Sequence, residues 1–128
     1  MTQEEKLLLL KDLSARLPYK VMVHIIYNTK EPCYGELTPK DIQWFIDSKI
    51  EEIKPYLRPM SSMTEEEKKE YRKTQINKWV KCVDCTGGGY YEHRDTLKTF
   101  DWLNAHHFDY RGLIEKGLAI EAPEGMYK

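Results

Sequence analysis

The chain has 128 residues, one domain's worth, and 41% of them are hydrophobic, enough to bury a core without disulfide or metal staples. Its 20 basic and 21 acidic residues give a formal net charge of −1, without the basic excess of sequence-general nucleic-acid binders. No apolar run approaches the roughly 20 residues of a membrane span, and acidic Glu4 and Glu5 ahead of the short apolar run 7–10 argue against a secretory leader.

Thr2-Gln3-Glu4-Glu5 reads as a capping box opening a helix that runs to about Arg16. Leu7, Leu9, Leu10, Leu13 and Leu17 form its apolar stripe, and Pro18 stops it. Residues 21–27 are the clearest strand, with Val21, Val23, Ile25 and Tyr27 on one face and Met22, His24 and Ile26 on the other. Both faces are mostly apolar, which places this strand centrally. A turn over 28–35, with Pro32 and Gly35, leads to a short strand near 34–37. Thr38-Pro39-Lys40-Asp41 has the form of a helix start, with Ile42, Phe45 and Ile46 as the buried face and Trp44 beside them.

Pro55 and Pro59 flank Tyr56, Leu57 and Arg58, a pattern that predicts an extended edge strand. Thr64-Glu65-Glu66-Glu67 is a second capping box, opening a charged helix to about Gln75 with few apolar residues. Residues 76–84 and 90–93 read as a hairpin around Gly87-Gly88-Gly89. A short helix holding Trp102 and Leu103 follows, then a second over 110–116 capped by Asp109 and ended by Gly117. Residues 118–120 form a last short strand. The expected fold is α+β: an N-terminal helix on a small antiparallel sheet, a charged connector helix, a C-terminal hairpin and two short helices. The organisation is a single domain, 1–128, with lobes 1–60 and 76–128 joined by helix 64–75.

Cys82-Val83-Asp84-Cys85 has the spacing at which two thiolates grip one tetrahedral zinc. A closed site needs two further ligands, for which Cys33, His93, His106 and His107 are the candidates. A redox role would need the pair at a helix start, whereas three glycines follow it. The glycines are not a phosphate loop either, since Tyr90-Tyr91 stands where Lys-Ser or Lys-Thr is required. The odd count of three cysteines argues against a secreted disulfide framework, so a cytoplasmic location is expected.

The densest stretch is 101–113, in which His106 and His107 stand with Asp101, Trp102, Asp109 and Arg111. Adjacent histidines on a helix diverge by about 100°, which disfavours a shared metal. Packing and capping account for most of the stretch: Phe100, Leu103 and His107 share a face, His107 is hydrogen-bonded, and Arg111 pairs with Asp101 or Glu115. His106 and Arg111 keep no clear structural duty. Together with Asp109 and Trp102 they are the candidate binding residues, and Cys82 and Cys85 the candidate metal ligands.

Three blocks carry a resemblance: residues 2–18, the run Ile53-Lys54-Pro55-Tyr56-Leu57-Arg58-Pro59-Met60-Ser61-Ser62-Met63-Thr64-Glu65-Glu66-Glu67, and 101–127. They resemble a family of short uncharacterised proteins of gut Bacteroides-type bacteria and their phages or prophages. The resemblance implies a cytoplasmic bacterial or phage context and an accessory role, and it brings no catalytic residue. Near-neutral charge, nine tyrosines and three tryptophans point to a non-enzymatic protein-interaction module without a cofactor. The alternatives are a zinc-stabilised binding domain using Cys82 and Cys85, and a small hydrolase using His106 or His107. The expected partner is a protein, with nucleic acid and membrane disfavoured.

Overall fold

Local capping chemistry sets the helix starts. The structure, a computed structural model, describes residues 1–28, 31–74, 78–81, 90–93 and 96–127, with backbone alone at 78–81, 90–93 and 96. Helix α1 (Gln3–Arg16) begins at Thr2, whose hydroxyl accepts from the Glu5 amide at 3.1 Å while Glu5 accepts from the Thr2 amide. Helix α2 (Pro39–Ile46) repeats the device with Thr38 and Asp41, and helix α3 (Glu65–Thr74) with Thr64 and Glu67. Each satisfies amides that the first helical turn leaves without partners.

Four strands form one sheet in the order β2-β1-β3-β6: β1 (Met22–Tyr27), β2 (Cys33–Glu36), β3 (Ile50–Leu57) and β6 (Ile120–Glu121). β1 lies between β2 and β3 and is antiparallel to both. β6 runs parallel to β3, so the sheet is mixed rather than purely antiparallel. The expected edge strand at 55–58 is the end of the longer β3, an interior strand. Pro55 is tolerated there because β6 pairs only with Tyr56 and Leu57, beyond the proline.

Two compact units divide the chain: Met1–Ser62 with Asn104–Lys128, and Met63–Leu103. This division differs from lobes 1–60 and 76–128, because segment 104–127 adds β6 to the N-terminal sheet. In the first unit the core joins Leu9 and Leu13 of α1 and Val21, Val23 and Ile25 from β1 and its approach. Leu37, Phe45, Ile50, Ile53, Leu57, Leu113, Leu118 and Ala119 complete it. Leu7 and Ile46, expected on apolar faces, are half exposed, because buried Asp12 and Arg16 and buried Asp41 turn their helices otherwise.

Asp12 and Arg16, one helical turn apart on α1, are fully buried, with Arg16 Nε donating to Asp12 Oδ2 at 2.8 Å. Arg16 Nη2 donates to the Phe108 carbonyl at 2.7 Å, and Arg111 Nε lies 3.2 Å from Asp12 Oδ1. Both guanidiniums lie over the Tyr110 ring, at 5.2 and 5.1 Å from its centre. α1 is thereby fastened to the returning C-terminal segment. The helix expected over 110–116 is instead a run of turns, with Gly112 and Gly117 at φ 71° and 75°, values that interrupt a right-handed helix.

The second unit holds α3, the antiparallel pair β4 (Lys78–Lys81) and β5 (Tyr90–His93), and most of helix α4 (Thr96–Ala105). Thr99 donates to the Thr74 carbonyl at 3.0 Å, which ties α4 to the end of α3. Among the described residues, no helix is long and apolar enough to cross a membrane.

Candidate functional site: a cationic, aromatic-walled cleft

Just past β3 the chain makes one more parallel bridge, Arg58 with Phe108. The Arg58 amide donates to the His107 carbonyl, and the Asp109 amide to the Arg58 carbonyl, both at 2.8 Å. This bridge holds His106 and His107 against the sheet. A cleft of about 430 Å³ opens here in the first unit, lined by Lys20, Arg58, His106 and His107, by Tyr19 and Tyr127, and by Met22, Glu36, Ala105 and Met126. That volume lies in the usual range for small-ligand sites.

Tyr127 forms one wall and is fixed in place. Its hydroxyl accepts from the Met22 amide at 2.9 Å and donates to the Tyr56 carbonyl at 2.7 Å, so it bridges β1 and β3. Burial pushes its phenol up to about 12, which keeps that donor protonated. The ring stacks on His107 with centroids 3.7 Å apart and planes 18° off parallel.

His107 is buried, and its Nδ1 has no hydrogen-bond partner among the described residues. The expected packing of His107 is present, but the expected hydrogen bond is not. Phe100, expected on the same face, is half exposed. Burial first, then the charges of Arg16, His106 and Arg58, pushes the His107 imidazole down to about 4. The ring is therefore neutral at neutral pH.

A depressed histidine stabilises the fold above the unfolded-state pKa and loses that contribution as acid protonates the unfolded chain. Between the ordinary value of 6.5 and about 4, stability is expected to fall with decreasing pH, by on the order of 3 kcal/mol from this group. Urea unfolding of wild type and His107→Asn across that window checks this; wild type should lose on the order of 3 kcal/mol relative to the variant from the neutral to the acid end.

Backbone strain gathers at the same place. Among the described residues, three that are not glycine have positive φ, namely Lys20 (57°), Ser48 (59°) and His107 (64°), and two of them line the cleft. Such conformations cost on the order of 1 kcal/mol or more each, and they concentrate where a side chain must be aimed for function. Arg58 is also held: its guanidinium lies over the Phe108 ring at 4.2 Å and Nη1 reaches the His106 carbonyl at 3.5 Å. His106 stacks on the other neighbour of this group, with ring centroids 6.5 Å from Phe108.

Of the residues expected to bind, only His106 reaches the cleft, and its neighbour His107 joins it. Arg111 is committed to Asp12 rather than to Asp101 or Glu115. Asp109 caps the turns that follow, accepting from the Leu113 and Ile114 amides at 2.8 and 3.0 Å. Trp102 belongs to the second unit, where its indole N–H donates to Glu70 and its ring packs on Tyr71. Cys82 and Cys85 lie outside the described residues. Among those described, no group of three or more His, Cys, Asp or Glu side chains is arranged to hold a metal ion.

The sequence reading missed Lys20, Arg58, Tyr19 and Tyr127. Arg58 sits between two prolines and Lys20 follows Pro18-Tyr19, so both mark places where a strand or helix ends and a side chain is presented at an edge. In comparisons with protein-family models, curated proteins and solved structures, the chain matches none.

Proposed function

We propose that this protein is a non-enzymatic interaction module and that the cleft is where it docks a protein partner. The observation that carries this reading is the meeting of two cations, Lys20 and Arg58, with the rings of Tyr19, Tyr127, His106 and His107 in one open cleft. Aromatic and arginine side chains are the groups that supply most of the binding energy at protein interfaces. The strained backbone at Lys20 and His107 supports a role beyond packing.

The hydrolase alternative draws on the same two histidines. His107, held down to about 4, is too weak a base to take a proton efficiently near pH 7, and a neutral, ring-stacked imidazole suits recognition better. The module is proposed to act without a cofactor, zinc at Cys82 and Cys85 being the alternative. A cytoplasmic bacterial or phage-related setting is proposed from the three resembling blocks, and conserved phage genes beside its gene would support it.

Panning a random peptide display library on wild-type protein and on Lys20→Glu tests the docking role. The expected result is enrichment of acidic, aromatic-containing peptides by wild type, with at least tenfold lower recovery on the variant. No enrichment, or enrichment indifferent to the substitution, overturns the reading.

A further inference from the structure

Resting on the docking reading, we infer that Tyr127 is a positioning residue: its hydroxyl is a spacer set into the β1–β3 ladder, and it holds the cleft open for a partner.

The register shows where the hydroxyl sits. β1 and β3 pair through Ile25↔Ile53, His24↔Lys54 and Val23↔Pro55, and the pairing stops there. One further step along both strands brings Met22 opposite Tyr56. The Val21 carbonyl accepts from the Leu37 amide on the β2 side, so the next residue, Met22, turns its amide towards β3. In an unbroken ladder that amide would donate to the Tyr56 carbonyl. It donates instead to the Tyr127 hydroxyl at 2.9 Å, and the hydroxyl donates to the Tyr56 carbonyl at 2.7 Å. Two bonds stand in series where one of about 2.9 Å belongs, so the strand ends are spread.

The spread rung is part of the cleft. Tyr19 and Lys20 lead into Met22 on one side of it, and Arg58 follows Tyr56 and Leu57 on the other. Tyr19, Lys20, Met22 and Arg58 all line the cleft, together with Tyr127 itself. The left-handed backbone at Lys20 is the bend by which the chain turns into β1. Without the hydroxyl, the Met22 N–H and the Tyr56 carbonyl would each lose a partner, and ladder geometry makes each the partner of the other. That closure would draw the two sides together and narrow the space between them.

Ring and hydroxyl have separate duties. The segment leading to Tyr127 is tied to β3 by the Ala122 amide on the Leu57 carbonyl. It then folds back through a turn in which the Met126 amide donates to the Pro123 carbonyl and Gly125 takes a φ of 82°. The Tyr127 ring anchors on His107, 3.7 Å between centroids, and the hydroxyl reaches past it into the ladder.

The test is Tyr127→Phe in the full chain, labelled with ¹³C and ¹⁵N and first shown to give a dispersed native-like spectrum. Phenylalanine keeps the ring and removes only the spacer. A scalar coupling across a hydrogen bond, from the Met22 amide nitrogen to the Tyr56 carbonyl carbon, is expected in the variant and not in wild type. The His107 imidazole should still titrate at about 4, since the ring that buries it remains. Recovery from the random peptide library should fall about tenfold.

A Met22–Tyr56 coupling in wild type overturns the inference, because no spacer would then stand between the two groups. Absence of the coupling from the folded variant overturns it as well, and so does peptide recovery equal to that of wild type. A variant whose His107 titrates near 6.5 also overturns it, because the hydroxyl would then anchor the ring rather than space the strands. The two proposals fail separately. Wild type that enriches no peptide sinks the docking reading, while the coupling, measured without peptide, still decides the spacer.

Discussion

Replacing Asp12 with asparagine is expected to cost about 3–5 kcal/mol of unfolding free energy, because it strips the counter-charge from a fully buried arginine. Arg16 has no exposed surface to which its charge could retreat. Its Nη2 donates to the Phe108 carbonyl, so rotating it outwards would also break the tie between α1 and the C-terminal segment. Arg111, partly exposed, would lose its partner too but can turn towards water. Domains of this size are stable by about 5–15 kcal/mol, so the variant would sit near the edge of folding. Equilibrium urea denaturation should show the midpoint falling by roughly 2 M.

The informative control replaces both partners, Asp12→Leu with Arg16→Met. An apolar pair of similar volume avoids the stranded charge and is expected to be less destabilised than Asp12→Asn alone. A loss below about 1 kcal/mol for the single variant would show that the pair is not desolvated as its burial requires.

Phe108→Ala should cost about 3–5 kcal/mol, since the ring is fully buried and its removal leaves a cavity beside the sheet. Its second effect is on the cleft, because the same ring is the platform beneath Arg58. Phe108→Leu separates the two roles. Leucine keeps most of the volume and is expected to cost about 1.5 kcal/mol or less. It nevertheless removes the aromatic face that orders the guanidinium. Thermal unfolding together with the peptide panning reads both: the leucine variant should remain folded yet recover fewer peptides. Unchanged binding by a folded leucine variant would mean that Arg58 is ordered by something else.

How far these features could be read from the chain follows from their range. The capping boxes at Thr2 and Thr64 and the cap at Thr38 are legible because donor and acceptor lie three residues apart; that Asp41 completes a box with Thr38 emerges from the structure. β1 was legible from its run of Val21, Val23 and Ile25, all buried. β3 is longer than its sequence suggests, because Pro55 argues locally for an edge and only the distant β6 explains its tolerance. After Asp109 the local signals favour a helix, a good cap outweighing Gly112, whereas the chain forms turns.

The site follows the same rule. His106 stood out in the sequence because reactive types cluster around it, but the same cluster also offered Arg111 and Asp109. Both are taken up by structural partners, Arg111 by a residue nearly the whole chain away. Lys20, Arg58 and Tyr127 are ordinary residues until β1, β3 and the tail are paired, and no local pattern marks them.

The division of the chain bears on the order in which the molecule takes shape during synthesis. The first unit is interrupted: it runs to Ser62 and resumes at Asn104. Ribosomes add about 5–20 residues per second, so the emerging N-terminal half waits several seconds for its missing part. Throughout that interval Arg16 lacks the Phe108 carbonyl, Asp12 lacks Arg111, and the Met22 amide lacks the Tyr127 hydroxyl. The sheet gains its fourth strand only once β6 has been made, and this pairing with the distant β3 is a long-range contact of the kind that forms slowly. The cleft therefore comes into being only once residues 105–107 and 126–127 have joined the N-terminal half.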